Sequence, residues 1–291
     1  MSIITNFERV GEFHEVFGHP KFNTLQLDVI NDSKLMKFRL DLIREEYREL
    51  QDAVNMNDRK EIIDALGDIL YVSYGMAQVM GINIDNIIKE IISRILFESS
   101  TSHTEDLMSS VSNFNMIGMS HDEVDKQNFK ITNKFDTETL NKQSNNINKF
   151  VGIIGKEFDS LTLFVEKRNL FRIISCLSYL IIKTYSLGYI INVDLDDVFT
   201  RVHNSNMSKL CENEEQAIDT IEHYKTLQGF ENVNIAYRKS VDDKRYVIYN
   251  VETGKILKSK YFVLPNFDDI ISEVKNDHIN NANNVINVIN V

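Results

Sequence analysis

The sequence predicts a mainly α-helical bundle with a small β-hairpin near its C-terminus. Three observations predict it. Only two prolines, Pro20 and Pro265, interrupt the 291 residues, so long helices are permitted almost throughout. Apolar residues recur at three- and four-residue spacing over most of the chain. Period-two patterning is confined to residues 236–263.

Residues 6–18 read as a first helix that ends before Gly18 and Pro20. Residues 33–55 read as a long amphipathic helix, capped by Asp32 or Ser33, with a buried stripe of Leu40, Ile43, Tyr47, Leu50 and Val54. Asp58 caps the next, residues 59–80, whose core side is Ile62, Leu66, Ile69, Leu70 and Ser73; Gly81 ends it as a left-handed residue. A helix over 86–98 follows, with Asp85 as its cap. Residues 99–145, rich in Ser, Thr, Asn, Asp and Lys, read as a polar linker or insertion. In the tail, Arg245–Asn250 and Lys255–Ser259 flank Glu252-Thr253-Gly254, a hairpin signal; residues 276–291 are Asn- and Val-rich and expected to be disordered.

The chain then repeats itself. Ile82 to Ile88 parallels Val193 to Phe199, and the same offset of 111 residues carries Tyr74 onto Tyr185, Leu50 onto Leu161 and Glu46 onto Glu157. Residues 1–98 thus form a first helical repeat, 146–212 a diverged second one and 213–275 a C-terminal extension, so that one chain folds as a pseudo-dimer.

Composition narrows the function classes. A net charge of −11 argues against binding a nucleic-acid backbone, which needs a basic surface. Two cysteines, Cys176 and Cys211, give neither a disulfide framework nor a metal spacing, which points to a reducing, cytoplasmic compartment. The most apolar stretch, residues 173–193, carries Ser175, Ser178, Lys183 and Thr184 and reads as a core helix, not a membrane span. No Glu-x-x-His pair is present on the acidic helices, so a di-iron bundle is disfavoured.

The acidic residues carry the chemistry. Glu45, Glu46 and Glu49 share a face of the second helix, and Glu61, Asp64 and Asp68 share a face of the third. Acidic helix faces are most often solvated, but here two consecutive helices carry them at matching depth. If the faces meet, repulsion calls for a cation, and a hard divalent ion takes carboxylate and water oxygens.

This pattern resembles the all-α nucleoside triphosphate pyrophosphohydrolases: the MazG-like, phosphoribosyl-ATP pyrophosphatase and dimeric dUTPase families. Their E-E-x-x-E matches Glu45, Glu46 and Glu49. Their second element, E-x-x-D, aligns its Asp with Asp68 but leaves Ala65 where a Glu is usual; Glu61-x-x-Asp64 offers a second match one turn earlier. Phe13 to Pro20 and Val202 to Leu210 resemble further segments of the phage-type and eukaryotic MazG-like proteins. The resemblance implies a bundle of that type and hydrolysis of a nucleoside triphosphate between its α and β phosphates. It also implies Mg²⁺, with Mn²⁺ as substitute, held by Glu46, Glu49 and Asp68, with Asp64 and Glu61 as alternatives. Glu45 or Glu46 would act on the attacking water. Arg44, Arg59, Lys60 or Lys209 would meet phosphates, Asn204 and Asn206 would contact the nucleotide, and His14, Phe17 or Phe22 the base. A phosphoribosyl-ATP pyrophosphatase and a degenerate binding member of the same fold remain the alternatives. The only partner expected is the nucleotide, with no nucleic acid and no membrane; further homo-oligomerisation through the bundle is left open.

At the 111-residue offset the second repeat has Lys156, Ser160, Arg172, Ser175 and Tyr179 where the first has Glu45, Glu49, Glu61, Asp64 and Asp68. It is therefore expected to hold no metal and to contribute substrate contacts from Asn204, Asn206 and Lys209 to one composite site.

Overall fold

The structure, a computed structural model, describes residues 4–98 and 137–271. Thr5 opens α1 (Asn6–Phe17) with a capping box to Glu8, and Gly18 closes it in the left-handed region. A 3₁₀ turn at Val29–Asn31 leads into α2 (Ser33–Met56), whose Leu35 N–H donates to the Asp32 side chain. α3 (Arg59–Met80) and α4 (Ile84–Glu98) follow. Gly81 between them has φ 66°, and a Cβ there would sit 1.9 Å from the Thr24 carbonyl oxygen, so only glycine fits. After residue 136 run α5 (Thr137–Glu166), α6 (Leu170–Ile190), α7 (Leu195–Met207) and α8 (Glu214–Lys225), then β1 (Ile235–Lys239) and β2 (Tyr246–Asn250).

The hairpins α2–α3 and α5–α6 pack together as the centre of the bundle, with α1 and α7 laid on α3. One continuous core runs through them. Ile43, Leu50, Ile63, Leu66, Ile69 and Leu70 bury completely on the first hairpin, and Ile154, Leu161, Leu177 and Leu180 on the second. The stripes read from the sequence face this core, with Tyr47 and Val54 at its edge. Leu170–Ile190 is apolar and long enough to cross a membrane by length and composition, but it is a core helix, 67% buried over its most apolar window.

The two halves match in detail at the 111-residue offset. Left-handed Asn57 and Gly81 (φ 53° and 66°) correspond to left-handed Arg168 and Asn192 (φ 51° and 56°). The Asp58 cap accepting from Glu61 N–H corresponds to the Asn169 cap accepting from Arg172 N–H. In each half a fully buried tyrosine donates to an aspartate eleven residues on, at 2.5 Å: Tyr74 to Asp85 and Tyr185 to Asp196. Asn6 donates to both Tyr185 Oη and Asp196, and Phe7 N–H donates to Asp85, so the start of α1 clips onto both pairs.

Three expectations are corrected. Asp85 does not cap α4; it lies inside the first turn, buried, because Tyr74 and Phe7 draw it inward, and Asn83 accepts from Asn86 N–H at the cap instead. Helix α5 begins at Thr137, inside the stretch read as linker; residues 99–136 and the expected disordered tail lie outside the described residues. The hairpin partner of β2 is β1, in register Tyr237 with Ile248, while the 255–259 segment adds only a bridge from Ile256 to Tyr249. The reason is the turn: Ser240 N–H donates to the Arg245 carbonyl and Ser240 Oγ to Asp242, closing the upstream loop. Cys211, Ala217 and Ile248 form a small satellite core that seats the hairpin on α8.

Candidate functional site

α2 and α3 are joined by a two-residue turn, so their acidic faces lie side by side. Glu46 and Asp68 are half-buried between the helices, Asp64 is half-buried one turn along, and Glu45, Glu49 and Glu61 stand at the exposed rim. Burial, then Asp68, Glu49, Glu45 and Asp64 in turn, push Glu46 up to about 9. Burial and then Asp64 push Asp68 up to about 7, against the pull of Lys209 and Lys258. Burial, Glu61 and Glu49 raise Asp64 to about 6, and burial followed by Glu45 raises Glu49. The four carboxylates therefore feel one another as like charges with water partly excluded. Ala65, where the resemblance leaves a gap, is packed in the core and takes no part.

Do these residues fit a cation? All the donors are carboxylate oxygens, the set a hard divalent ion takes. Asp64 Oδ1 is buried and has no hydrogen-bond partner, an orphan acceptor that a cation would satisfy. Among the described residues no three His, Cys, Asp or Glu side chains already converge on a single point. Like charges hold themselves apart unless a cation screens them, so the donor set fits a metal.

Cations border this patch. Lys209, just past the end of α7, acts electrostatically on Asp68 and Glu46, and Asn206 Oδ1 accepts from its ammonium at 2.5 Å. Lys60 acts on Asp64 from an exposed position. Lys258, which sequence reasoning missed, acts on Glu49, Asp64, Asp68 and Lys209. It arrives through the fold: Ser259 Oγ donates to the Ser208 carbonyl, Ser205 Oγ to the Val263 carbonyl and Tyr224 Oη to the Lys258 carbonyl. The two serine bonds staple the C-terminal segment onto the end of α7, and the tyrosine bond ties it to α8. A lysine in a stretch that reads as an appendage gives no signal of this.

Several predicted contacts do not assemble. Arg44 is engaged with Asp41 and lies over the Phe158 ring, and Arg59 donates to the Ile191 carbonyl at the end of α6, so both hold the bundle together. Asn204 is exposed and Phe22 lies at the surface. Phe17 is packed in a small core with Val16, Leu210 and Val247. His14 is buried, its Nδ1 2.7 Å from the Pro20 carbonyl; burial and then Arg39 press it down to about 2. Its neighbours are Arg39 and His19, and the Phe13 ring stacks on His19 at 5.6 Å.

A family model described as phosphoribosyl-ATP pyrophosphohydrolase matches residues 10–94. That span carries every one of the carboxylates above and stops short of Lys209 and Lys258. An uncharacterized protein of Acanthamoeba polyphaga mimivirus is 44% identical over 268 residues, 92% of this chain and 96% of that protein. No solved structure matches the chain.

Proposed function

We propose that this chain, which belongs to the family of that viral protein and carries at residues 10–94 a segment of the phosphoribosyl-ATP pyrophosphohydrolase type, a hydrolase family acting on pyrophosphate bonds, is a divalent-metal-dependent nucleoside triphosphate pyrophosphohydrolase. It cleaves between the α and β phosphates to give a monophosphate and pyrophosphate, in the service of nucleotide-pool cleansing. One observation carries the reading: Glu46, Glu49, Asp64 and Asp68 act on one another across α2 and α3 as like charges, and Lys209 and Lys258 act on Asp68 from beside them.

Glu46, Glu49, Asp64 and Asp68 would hold Mg²⁺, or Mn²⁺ in its place, and Glu61 stands in reach of Asp64 at the rim. The bound ion supplies charge neutralisation on the phosphates and a more acidic water. Burial first and then its carboxylate neighbours raise the proton affinity of Glu46, and its place among them makes it a candidate to take the proton of the attacking water. Glu45 at the rim is the second candidate. Lys209, steadied by Asn206, and Lys258 bind phosphate oxygens as compact point charges. His14 is assigned no base contact.

The recurring caps, left-handed residues and Tyr–Asp bonds support taking the two halves as copies of one unit, with the metal ligands kept in the first and Lys209 supplied by the second. The free, buried Cys176 and Cys211 support a reducing compartment.

The test is pyrophosphate release from a panel of ribo- and deoxyribonucleoside triphosphates and phosphoribosyl-ATP, with and without Mg²⁺ or Mn²⁺, beside Glu49→Gln. Metal-dependent release that the variant loses is expected. The description of the matching family favours phosphoribosyl-ATP as a second reading; turnover of that substrate alone would decide for it. Release from none would leave a nucleotide-binding protein.

A further inference from the structure

Arg39 is only 4% exposed, and its Nε and Nη2 are buried without a hydrogen-bond partner. Arginine is seldom buried unless paired. Burial alone acts on this guanidinium, lowering it to about 10; among the described residues no carboxylate raises it. The acids of nearby α1 are engaged elsewhere, Glu15 with Lys21 at 2.8 Å and Glu12 at 3.6 Å from His203 Nε2.

What does surround Arg39 is neutral or positive. His14 faces it with Nε2, since Nδ1 is committed to the Pro20 carbonyl. A Cβ on Gly75 would lie 3.1 Å from Arg39 Nη1 and 3.3 Å from His14 Nε2, so the bare backbone at residue 75 lets both groups pack against it where a side chain would crowd them. Burial, Arg39, Arg238 and Lys209 all act on His19 in the same direction, lowering it to about 4. A guanidinium without a carboxylate partner, lying over the Phe38 ring at 5.4 Å, thus shares a region with two imidazoles and two further cations, and among the described residues no carboxylate acts on Arg39 or His19.

The place of this region is informative. Arg39 lies seven residues before Glu46 on α2, and Gly75 seven residues after Asp68 on α3. Both steps are two helical turns along one face, about 10 Å. Lys209 acts on Asp68 at one end and on His19 at the other.

We propose that Arg39, with His14 and His19 beside it, is an anion site that receives a phosphate group two helical turns from the carboxylate cluster. Assigning that phosphate to the substrate, as a second anionic group remote from the cleaved anhydride, rests on the pyrophosphohydrolase reading. The binding of phosphate itself does not.

The test uses the full chain and inorganic phosphate as probe, in chloride buffer free of other oxyanions. Phosphate is expected to raise the wild-type melting temperature saturably by several degrees. Arg39→Met should melt no lower than wild type without phosphate, because it removes an unpaired buried charge, and should lose the phosphate response. Should that variant fail to fold, the histidine NMR resonances of the unmodified chain decide: phosphate is expected to shift those of His14 and His19 and leave that of the exposed-helix His223 in place. A variant that responds to phosphate as wild type does, or His14 and His19 resonances indifferent to phosphate, overturns the site. Pyrophosphate release measured on the same samples separates the two readings. Phosphate binding without turnover leaves the anion site standing alone, and turnover without an Arg39-dependent phosphate response removes the anion site alone.

Discussion

The two helical hairpins of this bundle share their geometry and differ in their electrostatics. On α2–α3, Glu46 is surrounded by Glu45, Glu49, Asp64 and Asp68 and its carboxyl is driven to about 9. On α5–α6, Glu157 holds the same place; burial raises it too, but there a lysine, Lys183, pulls the other way. Lys183 stands where the first hairpin has Val72. One half has its buried carboxylate compensated from within; the other draws Lys209 and Lys258 from outside the hairpin, with Lys60 acting on Asp64 from within. Like charges gathered at such a cost in a partly dry site are the mark of a place kept for a ligand.

That contrast breaks most sharply under substitution. Glu49→Gln and Asp68→Asn should each lower pyrophosphate release by at least about a hundredfold, the scale of a lost metal ligand, whereas Glu157→Gln should leave kcat within about twofold. Steady-state kinetics on the three variants tests this, and equal losses in both halves would mean that the carboxylates matter only for packing.

A second consequence concerns pH. Carboxyls raised to about 6, 7 and 9 in the fold bind protons that the unfolded chain releases near pH 4. Their contribution to stability is complete below about pH 4 and is lost as pH rises through 6 to 9. Melting temperature without divalent cation should therefore fall between pH 5 and pH 9, after other titrating groups are matched with Asp64→Asn and Asp68→Asn controls that flatten the slope. Mg²⁺ or Mn²⁺ should restore stability at the alkaline end, where the ligands are ionised. A metal response larger at pH 5 than at pH 9 would contradict the assignment.

Lys209 and Lys258 come from outside the first hairpin and sharpen what the second half and the extension add. Either lysine replaced by Ala should raise KM about tenfold, the loss of one charge-assisted hydrogen bond, with kcat changed less and the melting temperature retained. An unchanged KM for both would confine the site to α2 and α3.

The smallest effects test the symmetry itself. Tyr74→Phe and Tyr185→Phe each remove a buried donor to an aspartate that keeps another partner. Each should cost about 1 kcal/mol in denaturant unfolding, and similar values would show that the two clips are equivalent.

Much of this was readable along the chain. The helix bounds at 59–80, the left-handed Gly81 and the 111-residue offset follow from local signals: a capping aspartate, a terminal glycine and apolar periodicity. The carboxylates were readable because i, i+3 and i+4 spacing fixes which side chains share a helix face. Arg44 and Arg59 were misread as phosphate contacts because a sequence shows their charge and not the Asp41 or the Ile191 carbonyl that engages them. Nothing in the sequence shows that His14 is buried, because that burial depends on α1 docking across α3. Arg39 went unread because nothing local distinguishes a buried arginine from a solvated one.

The sequence by itself determined the helices, their apolar faces and the set of acidic residues that share a face on α2 and on α3. These are properties of spacing within some seven residues, where backbone geometry leaves little freedom. Only the tertiary structure decided which charges meet. It brought Lys258 to the acidic patch through Ser259, Ser205 and Tyr224, paired Glu157 with Lys183 and left Arg39 unpaired beneath His14. Coulomb interactions and burial depend on distance through space, and residues far apart along a chain acquire that distance only when it folds.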